Sequence, residues 1–176
     1  PMQALISLFF DTPRRTLAWI AVVVAGMLAF GLNLQYNGGL VPCPMCIVQR
    51  YLYILVLLLA LAGLAGKGCR WHGASYVLIL LTSLAGAFVA ARQSWLQWYP
   101  PEFYSCGRDF YGMIEQMPLS KALPKIFAGS GDCTAIDWTF LGGTIANWSF
   151  VGFFALTVVS IGWLLQMRRR CTQRGA

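Results

Sequence analysis

Charge is scarce in this sequence. Only 11% of its 176 residues are Asp, Glu, Lys or Arg, against about 25% in an average soluble domain. There are six acids and one histidine. So little charge beside 58% apolar residues excludes a disordered chain and argues against a soluble globular one. Internal repeats and low-complexity tracts are also missing. What is abundant is uninterrupted apolar sequence.

A membrane helix needs about 20 mostly apolar residues. Four segments qualify: about Leu17 to Leu34, Pro44 to Leu64, Ala74 to Ala91 and Ser149 to Met167. Each is apolar on all faces, as in a lipid-embedded helix. A cleaved signal peptide is a poor reading of the first, because no small-residue cleavage site follows and three more spans do. The expected fold is an all-α membrane protein. Residues 1–176 form one transmembrane domain, a four-helix bundle with a short first outward loop (about 35–43) and a long second one (about 93–147). The chain starts at Pro1 rather than Met, so its native start is expected to differ.

The formal charge of +7 then becomes a topology signal rather than a sign of nucleic-acid binding. Arg14, Arg15, Lys67, Arg70, Arg168, Arg169, Arg170 and Arg174 fall at one set of span ends, with one acid, Asp11. The segment from Gln93 to Asn147 carries Arg108, Lys121 and Lys125 against five acids. The positive-inside rule puts both termini in the cytoplasm. Trp19, Tyr36, Trp98, Tyr99 and Trp148 lie near span ends, where aromatic belts form. Asn37-Gly38-Gly39 marks a turn in the short loop. The long loop is rich in aromatic and aliphatic residues, as suits packing on the membrane surface or a partner. Its Lys121–Phe127 stretch could lie in the interface, although Pro124 interrupts a helix there.

This topology sorts the six cysteines. Cys43, Cys46, Cys106 and Cys133 face outward, the oxidising side of a bacterial inner membrane, where two disulfides are expected. Four cysteines allow three pairings. Cys69 and Cys171 fall on the cytoplasmic side and read as reduced spectators. His72, on that same side, reads as a polar loop residue.

Cys43 and Cys46 form a C-x-x-C at the entrance of the second span. Pro44 suits the first turn of a helix and pushes Cys43 into extended backbone before it. Cys46 then sits in the first turn, where unbonded N–H groups and the helix dipole favour an anion, with Arg50 one turn further along the same face. Both effects favour the thiolate, the reactive form of cysteine. An arginine one turn into a membrane span needs a partner or ligand, unless it snorkels to the interface. Other readings of the four outward cysteines are a zinc site or purely structural disulfides. Haem attachment needs a histidine after the second cysteine, and Ile47 stands there.

These residues resemble the DsbB family of inner-membrane thiol:quinone oxidoreductases. The likeness spans nearly the whole chain. It includes Pro42-Cys43-Pro44-Met45-Cys46 with Arg50, Leu96-Gln97-Trp98-Tyr99-Pro100, Cys106, Ser130-Gly131-Asp132-Cys133 and Trp138-Thr139-Phe140-Leu141-Gly142. The resemblance implies a relay. A reduced periplasmic thioredoxin-like oxidase, similar to DsbA, attacks a Cys106–Cys133 disulfide and forms a mixed disulfide at Cys106. Exchange carries the electrons to Cys43–Cys46 through an interloop Cys43–Cys133 bond. Cys46 then reduces a bound quinone, ubiquinone or menaquinone, held by Arg50. Some relatives have a histidine shortly after the third span; Gln93 stands there, and Arg92 and Gln93 are expected to add polar contacts. No metal is implied. A specialised paralogue serving one dedicated partner is the variant reading. Gly63, Gly66, Gly86 and Gly162 are candidates for close helix packing.

Overall fold

The computed structural model describes residues 2–40, 43–100, 115, 118, 120, 121, 124, 136 and 138–174. Cys106 and Cys133 lie outside them. Five helices are described: α1 (Met2–Phe10), α2 (Pro13–Asn37), α3 (Pro44–Ala65), α4 (Cys69–Trp98) and α5 (Ile145–Arg174), with a two-stranded hairpin, β1 (Thr139–Phe140) and β2 (Gly143–Thr144), leading into α5. Helices α2 to α5 are long and apolar enough to cross a membrane.

The helix boundaries follow local chemistry. Thr12 caps α2, accepting from the Arg15 N–H at 3.2 Å, and Pro13 fills the first turn. Cys43 and Pro44 repeat that pattern at α3. Gly68, at φ +99°, takes a backbone conformation that side chains disfavour and lets the chain reverse in the short link between α3 and α4. The hairpin turn Leu141-Gly142 has both residues at positive φ, 50° and 81°, the backbone of a two-residue type I′ turn. It pairs Thr139 with Thr144 and Phe140 with Gly143.

Helix α1 is an element the sequence reading did not anticipate. All of its apolar side chains are exposed or nearly so, and Phe9 lies against Trp19, with ring centroids 4.6 Å apart. The third and fourth spans also run beyond their apolar stretches. α4 continues through Arg92 and Gln93 to Trp98, and α5 starts four residues ahead of Ser149.

The bundle closes through paired aromatics and buried polar bonds. The rings of Tyr53 on α3 and Phe153 on α5 stack with centroids 4.0 Å apart, and the Tyr53 hydroxyl donates to the Ser149 carbonyl at 2.9 Å. Two glycines make room for this stack. A methyl group on Gly86 would collide with the Phe153 ring, and one on Gly152 with the Tyr53 hydroxyl. Gly63 is a third close approach, 2.9 Å from Leu17 for an added Cβ, whereas Gly162 has open space around it and Gly66 meets only the nearby Trp71. Small residues at helix crossings are the usual means of close packing in lipid, where no hydrophobic force drives helices together.

At the other end of the bundle, the Tyr76 hydroxyl donates to the Pro13 carbonyl at 2.8 Å and the Trp163 indole donates to Thr16 at 3.0 Å. Buried Thr82, Thr157 and Ser75 donate to carbonyls one turn back on their own helices, so they add no unsatisfied donor to the interior. Outward-facing Val22, Leu58, Leu81, Phe88, Phe154 and Leu165 are exposed, as the lipid side of a membrane bundle requires.

These contacts bring the start of α2, the start of α4 and the end of α5 together, and with them Arg14, Arg15, Arg70 and Arg168–Arg170. They also correct one reading. Cys69 and Cys171 were expected to be reduced spectators, but the structure pairs them as a disulfide, with Cα atoms 6.3 Å apart. Antiparallel packing of α4 on α5 sets the first residue of one beside the last turns of the other. His72 is likewise a buried residue of α4 rather than a loop residue.

Candidate functional site

The opposite end of the bundle holds Cys43 and Cys46. Pro44 starts α3, so Cys43 remains extended (φ −73°, ψ 164°) and acts as the N-cap; its sulfur accepts from the Cys46 N–H at 3.4 Å. Cys46 is in the first helical turn, as the sequence reading expected. The two sulfurs are 3.0 Å apart, longer than the about 2.05 Å of a disulfide bond but close enough to form one with little motion. Cys43 is buried with Met45, Ile47, Val89 and Leu96 in a small apolar cluster, while Cys46 is part-exposed.

Gln93 reaches this pair from α4. Its amide nitrogen lies 3.1 Å from the Cys46 sulfur and 3.3 Å from that of Cys43. Its amide oxygen accepts from the Gln49 side chain at 2.6 Å and lies 3.6 Å from the Cys46 sulfur. Both glutamines are only 3% exposed. The arrangement has a direction. A carboxamide carries one acceptor end and one donor end, so the Gln49 N–H that holds the Gln93 oxygen turns the Gln93 NH2 towards both sulfurs. That donor can stabilise a thiolate, and the nearby oxygen can accept from a thiol.

A cavity of about 330 Å³ opens beside the cysteines, within the range of small-molecule sites. Cys43, Cys46, Gln49, Arg50, Gln93 and Gln35 form its polar end, and Tyr53 and Gln97 also line it. Met27, Leu28, Phe30 and Leu34 of α2 form one apolar wall; Trp138, Phe140, Ile145 and Trp148 form another. Trp138 meets Phe30 edge-on, with centroids 5.7 Å apart, and the Trp148 indole donates to the Phe140 carbonyl at 2.9 Å, so the hairpin is tied across the cavity. Arg50 does not simply run out to solvent: its guanidinium donates to Gln35 at the end of α2 at 2.7 Å. An apolar chamber with amide and guanidinium donors gathered at one end, beside a thiol pair, suits a flat apolar ring bearing polar oxygens.

Of the site residues expected from sequence, Cys43, Cys46, Arg50 and Gln93 therefore converge on one cavity. Arg92 does not line it. Gln49 and Gln35 were missed. For Gln49 a signal was present, because a polar residue inside an apolar span marks a functional site by default.

Comparison with known proteins accounts for this constellation. Residues 13–163 match the family model described as Disulfide bond formation protein DsbB. The chain is similar to Disulfide bond formation protein B of Paracidovorax citrulli (strain AAC00-1), 60% identical over 157 residues that cover 89% of this chain and 90% of that protein. It is also 58% identical to the protein of that name in Albidiferax ferrireducens (strain ATCC BAA-621 / DSM 15236 / T118), over 90% of this chain and 92% of the relative. The Polaromonas naphthalenivorans (strain CJ2) relative is 56% identical, over 91% and 96%. A cysteine pair capping a membrane helix beside an apolar cavity, in a four-span chain this similar throughout, identifies it as a member of the DsbB family of disulfide bond formation proteins.

Proposed function

We propose that this chain forms disulfide bonds by oxidising the dithiol of a periplasmic thioredoxin-like protein of the DsbA type and passing the electrons to a membrane quinone. The observation that carries this reading is the Cys43–Cys46 pair at the polar end of a 330 Å³ apolar cavity, with Arg50 and Gln93 beside it. Family membership supports the disulfide chemistry. The cavity supports the acceptor: its walls suit an apolar ring and its donors suit carbonyl oxygens. Bound there, a quinone supplies an acceptor for two electrons and two protons.

Each residue then has a task. Cys46, part-exposed and lining the cavity, presents the reacting sulfur. The first-turn N–H groups of α3 and the Gln93 amide stabilise its thiolate. Cys43, one turn back and 3.0 Å away, is placed to bond to the Cys46 sulfur as the pair gives up two electrons and its two thiol protons to the acceptor held in the cavity. Arg50, fixed by Gln35, aims cationic N–H donors into the same space. Cys106 and Cys133 would meet the soluble partner; their role rests on the family resemblance. The reading includes an inner-membrane location with both termini in the cytoplasm, supported by the basic residues gathered at the end away from Cys43.

The test is quinone absorbance in detergent on adding a reduced thioredoxin-like dithiol protein. Native chain should consume ubiquinone or menaquinone, and neither Cys46→Ser nor Cys106→Ser should. Consumption of neither quinone by the native chain, with bound zinc in its place, would overturn the proposal.

A further inference from the structure

The Cys69–Cys171 pair lies at the bundle end opposite the site, and nothing in the proposed electron path uses it. We infer that Cys69 and Cys171 are a second, independent dithiol–disulfide couple, opened and closed by an anionic low-molecular-weight thiol of the glutathione class. Three observations carry this. First, the pairing is built in by the fold. Cys69 opens α4 and Cys171 lies near the end of α5, 102 residues later, and their Cα separation of 6.3 Å falls inside the range of about 4.4–6.8 Å that a disulfide bridges. Both side chains pack against the main core, so their approach comes from helix packing and not from two loose ends.

Second, the pair is reachable. Both cysteines are half-buried, whereas Cys43 is fully buried. Exchange needs a line of attack on a sulfur as well as a reactive thiol.

Third, the surroundings are cationic. Lys67 and Arg70 flank Cys69, and Arg168, Arg169 and Arg170 precede Cys171, all exposed. The one acid described at this end, Asp11, already faces Arg15 at 3.6 Å. Such a field draws in a small thiol bearing carboxylates.

The exchange balances without a further reactant. One small thiol attacks a sulfur of the pair, forms a mixed disulfide and releases the other cysteine. A second attacks the mixed disulfide, frees the remaining cysteine and leaves as the small-molecule disulfide. Two electrons and two protons pass from the two small thiols to Cys69 and Cys171. The reverse reaction, with the small-molecule disulfide as oxidant, closes the staple between the start of α4 and the end of α5.

The experiment uses the full chain with Cys43, Cys46, Cys106 and Cys133 replaced by Ser, equilibrated in detergent with defined mixtures of reduced and oxidised glutathione. It is quenched with a maleimide and weighed intact. The expected result is an all-or-none change from no adducts to two as the mixture becomes reducing, with glutathione adducts a minor species. Three results overturn the inference: two glutathione adducts under oxidising conditions, two maleimide adducts at every mixture, or none even in a large excess of reduced glutathione. Should the fourfold variant fail to fold, peptide mapping of trapped native chain gives the same decision through the gain or loss of the Cys69–Cys171 linked peptide. Independence from the electron path is read from Cys171→Ser, whose quinone turnover should stay within twofold of native. A larger loss would place the pair on that path and refute its independence.

Discussion

Replacing Gln49 by leucine tests whether the Gln93 amide is aimed by its neighbour. Gln49 touches neither sulfur in the contacts described, yet its N–H donates to the Gln93 oxygen at 2.6 Å in a site where both side chains are 3% exposed. Gln49→Leu keeps the volume and removes that donor. The Gln93 amide can then rotate and exchange its donor and acceptor ends. Its NH2 contacts with Cys46 and Cys43, at 3.1 and 3.3 Å, are the ones put at risk. A hydrogen bond to a charged group is worth about 1.5–3 kcal/mol, and about 1.4 kcal/mol is a factor of ten. Sulfur is a soft acceptor, so the lower end applies: about a tenfold fall in thiolate reactivity. The assay is the single-turnover rate of quinone reduction by the pre-reduced Cys43–Cys46 pair, in a chain whose Cys106 and Cys133 are replaced by Ser. Iodoacetamide labelling of Cys46 at fixed pH is the second readout. Gln49→Glu should be worse than Gln49→Leu, because a carboxylate only accepts and would turn the Gln93 NH2 away from the sulfurs. Native rates in Gln49→Leu, with an unchanged melting temperature in detergent, would refute the positioning role.

Other expected outcomes follow from the same contacts. Arg50→Met should weaken quinone use, read as a raised quinone KM, while oxidation of the thioredoxin-like partner by a preformed Cys106–Cys133 bond proceeds normally. Gly86→Leu should drive a side chain into the Phe153 ring and destabilise the bundle by about 1–3 kcal/mol or more, visible as a lower melting temperature in detergent; Gly162→Leu, in open space, should not. Tyr53→Phe keeps the stacked ring but removes the hydrogen bond to Ser149, so thermal unfolding should register a loss of about 0.5–1.5 kcal/mol.

Particular residues show why some of the site was legible and some was not. Pro44 predicted the start of α3, and with it the placement of Cys43 as cap and Cys46 in the first turn; one local rule carries both. Arg50 stood out because a charge inside a span demands a partner. That its partner is Gln35 was not legible, since 15 residues and a reversal of the chain separate them. The extent of α4 was misjudged because a hydrophobic run ends where lipid ends, while a helix continues as long as its backbone bonds are made; Arg92 to Trp98 is helix beyond the apolar run. Glycine candidates were right at Gly63 and Gly86, empty at Gly162 and incomplete without Gly152, because only the helix rotations decide which glycine faces a neighbour.

The sequence by itself determined the environment of the chain. Four apolar runs require a membrane, because only a helix satisfies its own backbone within lipid. The arginines and lysines gather at one set of span ends, and the C-x-x-C with Pro44 creates a capped thiol pair at a span entrance. These are local properties, carried by hydropathy, charge and capping. Only the tertiary structure decided which residues from different helices meet. It joined Gln49 to Gln93 across 44 residues, closed a cavity with α2 and the hairpin, and set Cys69 against Cys171. Such pairings depend on the rotation and axial offset of packed helices, which side-chain interlocking fixes and no single segment encodes.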